Sequence, residues 1–311
     1  MYLVHTVFPL FAVIGLGWLV VRSGYLDKQS VAPVGQVVIK VALPALIFLA
    51  LATTPADQTF DIAFLVAYGL GSVITMALCF AAARALFALS HAEAAVIALG
   101  VSMSNSSFLG FPIAQALLPA DQAVHIFAHC LIVENLLILP IALLLIAFTS
   151  PEQSTRPRLS ILWAQMRNPL LLALVAGGTV SMLGLELPVA ARTVLQLLAQ
   201  LSAPLALLVI GGMLASLPAR GRLRAVALVV TGKLGLHPLA VWGALAVIPG
   251  VSAPLASAGV LFAALPMITI FPLLAARAGQ GQLAAFGVLA ATLCSFATIP
   301  VFIHILGLAQ P

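Results

Sequence analysis

The stretch SNSSFLGFP, residues 104–112, interrupts an otherwise apolar segment, with EAAVIALGVSM (93–103) before it and IAQALL (113–118) after it. By length, the segment from about Ala94 to Leu118 spans a membrane. Its middle nevertheless holds Ser102, Ser104, Asn105, Ser106 and Ser107, followed by Gly110 and Pro112. Proline removes a backbone donor and clashes with the carbonyl one turn back, so the helix must break or kink here. Non-helical backbone at membrane depth is tolerated only where protein or a water-lined cavity satisfies its polar groups. The stretch therefore reads as a joint between protein surfaces, not as lipid-facing helix.

The rest of the chain fixes the setting of that joint. Apolar residues make up 63% and charged residues 7% of the 311, against roughly a quarter charged in soluble domains, which identifies an integral membrane protein. The first apolar run, VFPLFAVIGLGWLVV (7–21), lacks a basic n-region before it and a small-residue cleavage site after it, so it is read as a retained first span. Cys79, Cys130 and Cys294 all fall within spans without ligand spacing and are expected to be buried small hydrophobes. The net charge of +5 is scattered among loops with no aromatic-interleaved patch, which argues against a nucleic-acid partner.

Hydropathy predicts ten spans, near 3–21, 33–52, 62–83, 94–118, 122–149, 168–185, 190–216, 225–248, 255–276 and 283–308. One set of alternate loops carries ten Lys or Arg residues, Arg22, Lys28, Arg84 and Arg224 among them, and the opposite set only Arg192. By the positive-inside rule both termini face outside and the polar 150–167 segment is cytoplasmic. The domains expected are a first five-helix repeat over 1–149, a linker over 150–167 and a second, inverted repeat over 168–311, together one membrane domain. An offset of 160 supports this division, because it aligns Pro9 with Pro169, Pro44 with Pro204, Pro112 with Pro272 and Pro140 with Pro300.

The expected fold is thus all-α, with ten transmembrane helices in two inverted five-helix repeats and crossing broken helices at spans four and nine. Span nine has its own breaks at Pro266 and Pro272, with Thr269 between them. Paired broken helices point to a transporter's substrate site. Helix N-termini offer free N–H groups and positive dipole ends to an anion. The expected substrate-binding residues are Asn105, Ser106, Ser107, Gly110, Pro112, Pro266, Thr269 and Pro272, with the free donors placed in the turn after Pro112.

Ionisable residues inside spans are functional candidates, so Lys40, Glu134, Lys233 and His237, with Asn135 beside Glu134, are the charge and coupling candidates. Lys40 lies close enough to one end to reach the interface instead. Glu134 paired with a lysine reads equally well as a structural ion pair. His125 and His129 share a face without further ligands nearby, so no metal site is expected.

The motif NSSFLGFPI, from Asn105 to Ile113, resembles the Asn-Thr-Gly-Phe-Leu-Gly-Leu-Pro-Ile crossover of the auxin efflux carrier family. Ala264-Leu265-Pro266 is similar to the start of that family's second crossover, Leu43-Pro44-Ala-Leu-Ile-Phe48 to its second-span motif, and Glu134-Asn135-Leu-Leu to its fifth span. The resemblance implies the inverted five-helix architecture, an elevator-like or rocking cycle, and substrates such as auxin or, in bacterial members, malonate and related acids. Two features depart from it: the long cytoplasmic loop of the plant exporters is missing, and Met267, Ile268 and Thr269 stand where many relatives place an asparagine.

The function expected is secondary active transport of a small organic anion, malonate or a similar carboxylate, across a bacterial inner membrane, without a cofactor. The coupling ion stays open between proton and sodium, as does an uncoupled, auxin-like carrier. Expected partners are the organic acid, the lipid bilayer and, as an open option, a second copy of the chain in a homodimer. An anion channel would need a continuous lined pore. An intramembrane enzyme has little support, since GVSMS, from Gly100 to Ser104, lacks the second glycine of a nucleophile elbow.

Overall fold

Small polar residues cap several helices of this chain, and most prolines in its apolar runs lie within helices, in the computed structural model. It describes residues 2–53, 61–149, 167–216, 223–276 and 278–308, with side chains from Phe8 onward and without those of 147–149. Most of the 150–167 linker, with Arg156 and Arg158, lies outside the described residues, as do Arg220, Arg222 and Arg277.

The helices are α1 (Tyr2–Arg22), α2 (Val31–Val37), α3 (Leu43–Ala52), α4 (Ile62–Ala85), α5 (His91–Ser102), α6 (Phe111–Leu117), α7 (Ala120–Ile132) and α8 (Leu139–Thr149). They continue with α9 (Pro169–Met182), α10 (Val189–Gln200), α11 (Ser202–Ser216), α12 (Leu223–Thr231), α13 (His237–Val247), α14 (Ala253–Ala263), α15 (Phe271–Ala276) and α16 (Gly281–Ile305). Side chains define several starts. Asp61 accepts from Phe64 N at α4, and Ser90 with Glu93 forms a reciprocal capping box at α5.

The all-α expectation holds, whereas ten transmembrane helices in two inverted five-helix repeats do not. Six helices among the described residues are long and apolar enough to cross a membrane: Lys28–Ala52, Ile62–Ala85, Ala120–Ile146, Val189–Ser216, Leu223–Val247 and Gly281–Ile305. Shorter apolar helices are His91–Ser102, Pro169–Met182 and Ala253–Ala263, and in α1 the part with described side chains is Phe8–Arg22. The physical reason is that hydropathy counts apolar residues without testing whether they form one continuous helix. What the sequence offers as spans four and nine are α5 and α14, of 12 and 11 residues, which at 1.5 Å per residue cover only about half of a ~30 Å hydrocarbon core. The chain is a multi-pass integral membrane protein, with large apolar side chains such as Phe8, Trp18, Leu197, Trp242 and Leu273 on its outer surface.

Four prolines share one local solution. A π-helical turn precedes each: Val38–Ala42 before Pro44, Ser106–Gly110 before Pro112, Val133–Ile138 before Pro140 and Gly232–Leu236 before Pro238. The wider turn moves the carbonyl that would clash with the proline ring and lets the chain stay helical through it. Each π turn also swings its side chains out of the regular α register.

The interior is built by close helix contacts. Helix α4 packs on α5 and α13, α1 on α11, and α3 on α9. At Gly71 of α4 an added Cβ would stand 2.6 Å from Val241 Cα of α13, so glycine sets the separation of these two helices. Cys79 and Cys130 are buried free thiols as expected, but Cys294 is exposed, because it lies on the outer face of α16.

Candidate functional site

Helices α5 and α14 both stop at mid-course, and the backbones beyond them meet. Ser104 and Met267 form an isolated antiparallel bridge, and Asn105 N donates to Pro266 O at 2.8 Å. The bridge gives backbone groups on both strands an internal partner where water is lacking. Leu109 N and Gly110 N both donate to Asn105 O, so the helix restarts at Ser106 and not at Pro112. The free donors expected after Pro112 therefore belong to the turn that begins at Ser106, which lacks preceding carbonyls. The π turn explains the shift, since it carries the helix through the proline.

Gly110 faces the second interruption: an added Cβ would lie 2.7 Å from Leu265 Cδ1 and 2.9 Å from Phe262. Its missing side chain admits protein. Pro266 forms part of the bridge, and Pro272 sits in the first turn of α15. Asn105 and Thr269 are buried, and among the described residues neither Asn105 Oδ1 nor Thr269 Oγ1 has a hydrogen-bond partner. Buried polar atoms are rarely left so, and both belong to the interruptions.

Lys233 lies between the two breaks, completely shielded from solvent. Its ammonium donates to Ser104 Oγ at 2.6 Å, to His237 Nδ1 at 2.6 Å and to Ala263 O at 3.0 Å. Ser104 belongs to the first break, and Ala263 is the last residue of α14, where the dipole is negative. An ammonium has donors only, so His237 Nδ1 must accept. His237 is then the neutral Nε2–H tautomer, donating to Ser72 Oγ at 2.9 Å, and Ser72 in turn donates to Tyr68 O at 2.8 Å.

Glu134, in the π turn after α7, accepts from Ser106 Oγ at 2.7 Å and from the Tyr68 hydroxyl at 3.2 Å. Lys233 and Glu134 both reach the first interruption, at Ser104 and Ser106. The structure thus joins Asn105, Ser106, Glu134, Lys233, His237 and Thr269 around one pair of interruptions.

Other candidates lie elsewhere or differently. Lys40 is exposed and donates to Gln36 Oε1 one turn back, away from the cluster. Asn135 turns from Glu134, donating to Leu131 O and accepting from Asn168 Nδ2, which ties the π turn to the cap of α9. Ser107 is half-buried. His129 accepts from Asp61 N near the start of α4. Among the described residues no cluster of three metal-ligating side chains occurs.

Sequence reasoning missed Ser104, Tyr68 and Ser72 as partners of the charged groups. A signal existed for the last two: Tyr68 and Ser72 are four apart, on one face of an apolar span. A second signal is that Lys40, Ser106, Ser107, Glu134, Asn135 and Lys233 all stand four to six residues before a proline, within the π turns.

The family described as "Membrane transport protein" matches residues 2–303 of the chain. A protein named as a putative malonate transporter, from Rhizobium meliloti (strain 1021), is 27% identical over 305 residues, covering 96% of this chain and 94% of that relative.

Proposed function

The chain belongs to the membrane transport protein family, and from that premise we propose that it is a secondary active transporter of a small organic anion, malonate or a similar carboxylate, working by alternating access. The observation that carries this reading is a buried ammonium, Lys233, wedged between two interrupted helices beside the unpartnered Asn105 Oδ1 and Thr269 Oγ1. A carboxylate suits this setting. It takes charge-assisted hydrogen bonds from Lys233, donors from the turn that starts at Ser106, and side-chain contacts from Asn105 and Thr269. The malonate named for the Rhizobium relative supports the substrate class.

Lys233 is fully enclosed, so a substrate reaches it only when helices separate, which is the behaviour alternating access requires. The surplus of Lys and Arg in one set of loops supports both termini outside, residues 150–167 in the cytoplasm, and a bacterial inner membrane as the location.

The test is uptake of radiolabelled malonate and related acids into proteoliposomes by the wild type and Asn105→Ala. The variant removes an atom with no protein partner, so its thermal stability should stay close to wild type while transport falls at least about tenfold, the worth of one good hydrogen bond to a charged group. Wild-type rates for every transported acid in Asn105→Ala would remove Asn105 from the site.

A further inference from the structure

Glu134 and Lys233 are both withdrawn from solvent, yet each is held by neutral groups. Lys233 spends its three donors on Ser104, His237 and Ala263. Glu134 Oε1 receives Ser106 and Tyr68. Both charges bond the first interruption, Lys233 at Ser104 and Glu134 at Ser106, two residues apart in the chain. The titratable groups that face this cluster are Tyr68 from α4, Cys130 and Glu134 from α7 and its π turn, Lys233 from the turn between α12 and α13, and His237 at the start of α13.

Without substrate, the cluster sums to zero charge. A singly charged acid docked through its carboxylate on Lys233, lactate or the hydrogen form of malonate for example, as the proposed transport of an organic anion requires, leaves it at minus one inside the membrane, where an uncompensated charge is costly. One proton restores neutrality, and the other groups cannot take it without losing a contact. His237 already has its Nδ1 lone pair engaged by Lys233. Tyr68 and Ser106 act as donors to Glu134. Glu134 Oε2, by contrast, can bind a proton while Oε1 keeps both hydroxyl donors.

We propose that Glu134 is the proton carrier of an anion–proton co-transport cycle, ionised while Lys233 is unoccupied and protonated while a substrate carboxylate sits on Lys233. The substrate replaces Ser104 Oγ as acceptor of one Lys233 N–H. A proton from water on the entry side forms one O–H bond at Glu134 Oε2. On the exit side that bond breaks, the proton returns to water and the carboxylate leaves. Ser104, Tyr68 and His237 end each cycle unchanged. Anion and proton move together because either alone leaves a net charge in the buried cluster.

The experiment uses the purified full chain in proteoliposomes, with the membrane potential clamped at zero by potassium and valinomycin. The probes are labelled malonate, succinate, lactate and indole-3-acetate. In the wild type, one unit of inward pH gradient should raise accumulation of the transported acid about tenfold, the ratio one coupled proton sets. Glu134→Gln keeps an acceptor for Ser106 and Tyr68. It should still exchange labelled for unlabelled acid yet lose the response to the gradient, and Glu134→Asp should regain part of that response. Equal gradient-driven accumulation in wild type and Glu134→Gln overturns the proposal, as does accumulation that follows a sodium gradient and ignores pH. A folded Glu134→Gln that neither exchanges nor accumulates assigns Glu134 to binding and overturns it as well. A wild type that exchanges none of the four acids removes the organic-anion reading on which this one rests, which separates the two failures.

Discussion

Each buried charge of the cluster is satisfied locally by neutral groups but compensated only by the other. Replacing Lys233 with Met leaves Ser104, His237 and Ala263 without their donor and strands Glu134 as a lone buried carboxylate. Breaking a buried pair in this way costs about 3–5 kcal/mol. Lys233→Met should therefore lower the thermal unfolding temperature of detergent-purified protein, and adding Glu134→Gln should raise it again, a non-additive pair in a double-mutant cycle. Strictly additive effects would mean that the two charges do not sense one another. Thr269→Val should do the opposite: Oγ1 has no partner, so stability should change by less than about 1 kcal/mol, while transport falls where that hydroxyl meets substrate. Malonate uptake at the wild-type rate would take Thr269 out of the site. Glu134, Lys233 and His237 were legible in the sequence because ionisable groups are conspicuous in apolar spans. Their partners were not, since Ser104, Tyr68 and Ser72 lie 129, 66 and 165 residues from the groups they bond. Lys40 shares their composition signal, but its long stem and place near a span end let it stay exposed.

Among the elements, α4 and α13 carry the geometry, because Ser72 on one meets His237 at the start of the other, next to the turn that holds Lys233. Their separation rests on Gly71, where a Cβ would stand 2.6 Å from the Val241 backbone. Gly71→Ala must push the helices apart, lengthening the Ser72–His237 contact of 2.9 Å, and should reduce both stability and transport. Gly243 on α13 is the control, since a Cβ there meets nothing within 4 Å. Alanine at 243 should be neutral or stabilising by up to about 1 kcal/mol from helix propensity. Thermal unfolding of both variants separates a packing effect from a general intolerance of alanine, and a Gly71→Ala protein as stable as Gly243→Ala would contradict the packing account. The interruptions themselves could be read from sequence, because proline and clustered serines leave little choice at that depth. The number of crossing helices could not, because α5 and α14 are as apolar as full spans and their ends depend on the backbone bridge between Ser104 and Met267. The π turns also escaped a reading by α-helical period, although each precedes a proline.

For the molecule as a whole, two surface cavities are the places where a pathway to the buried cluster would open. One cavity of about 230 Å³ is lined by Gln122, His125, Ser252 and Leu255. Another of about 770 Å³ is lined by Phe87, Leu89, Leu223 and Arg224. They stand at opposite ends of the 25-residue span Leu223–Val247, about 37 Å long as a helix, with Lys233 between them. A carrier that works by alternating access opens one mouth only while the other is closed, and a substrate bound with different affinity in the two states shifts their populations. Single cysteines at Ser252 and at Phe87, each introduced with the exposed Cys294 changed to Ser, report this directly through their rates of reaction with a maleimide. Added substrate should raise the rate at one mouth and lower it at the other. The change should vanish in Lys233→Met, which lacks the ammonium proposed to bind the anion. Rates that rise together at both mouths would describe a pore open from end to end. Rates that stay constant, under an acid that the same protein exchanges, would show that the span between them does not move with the substrate.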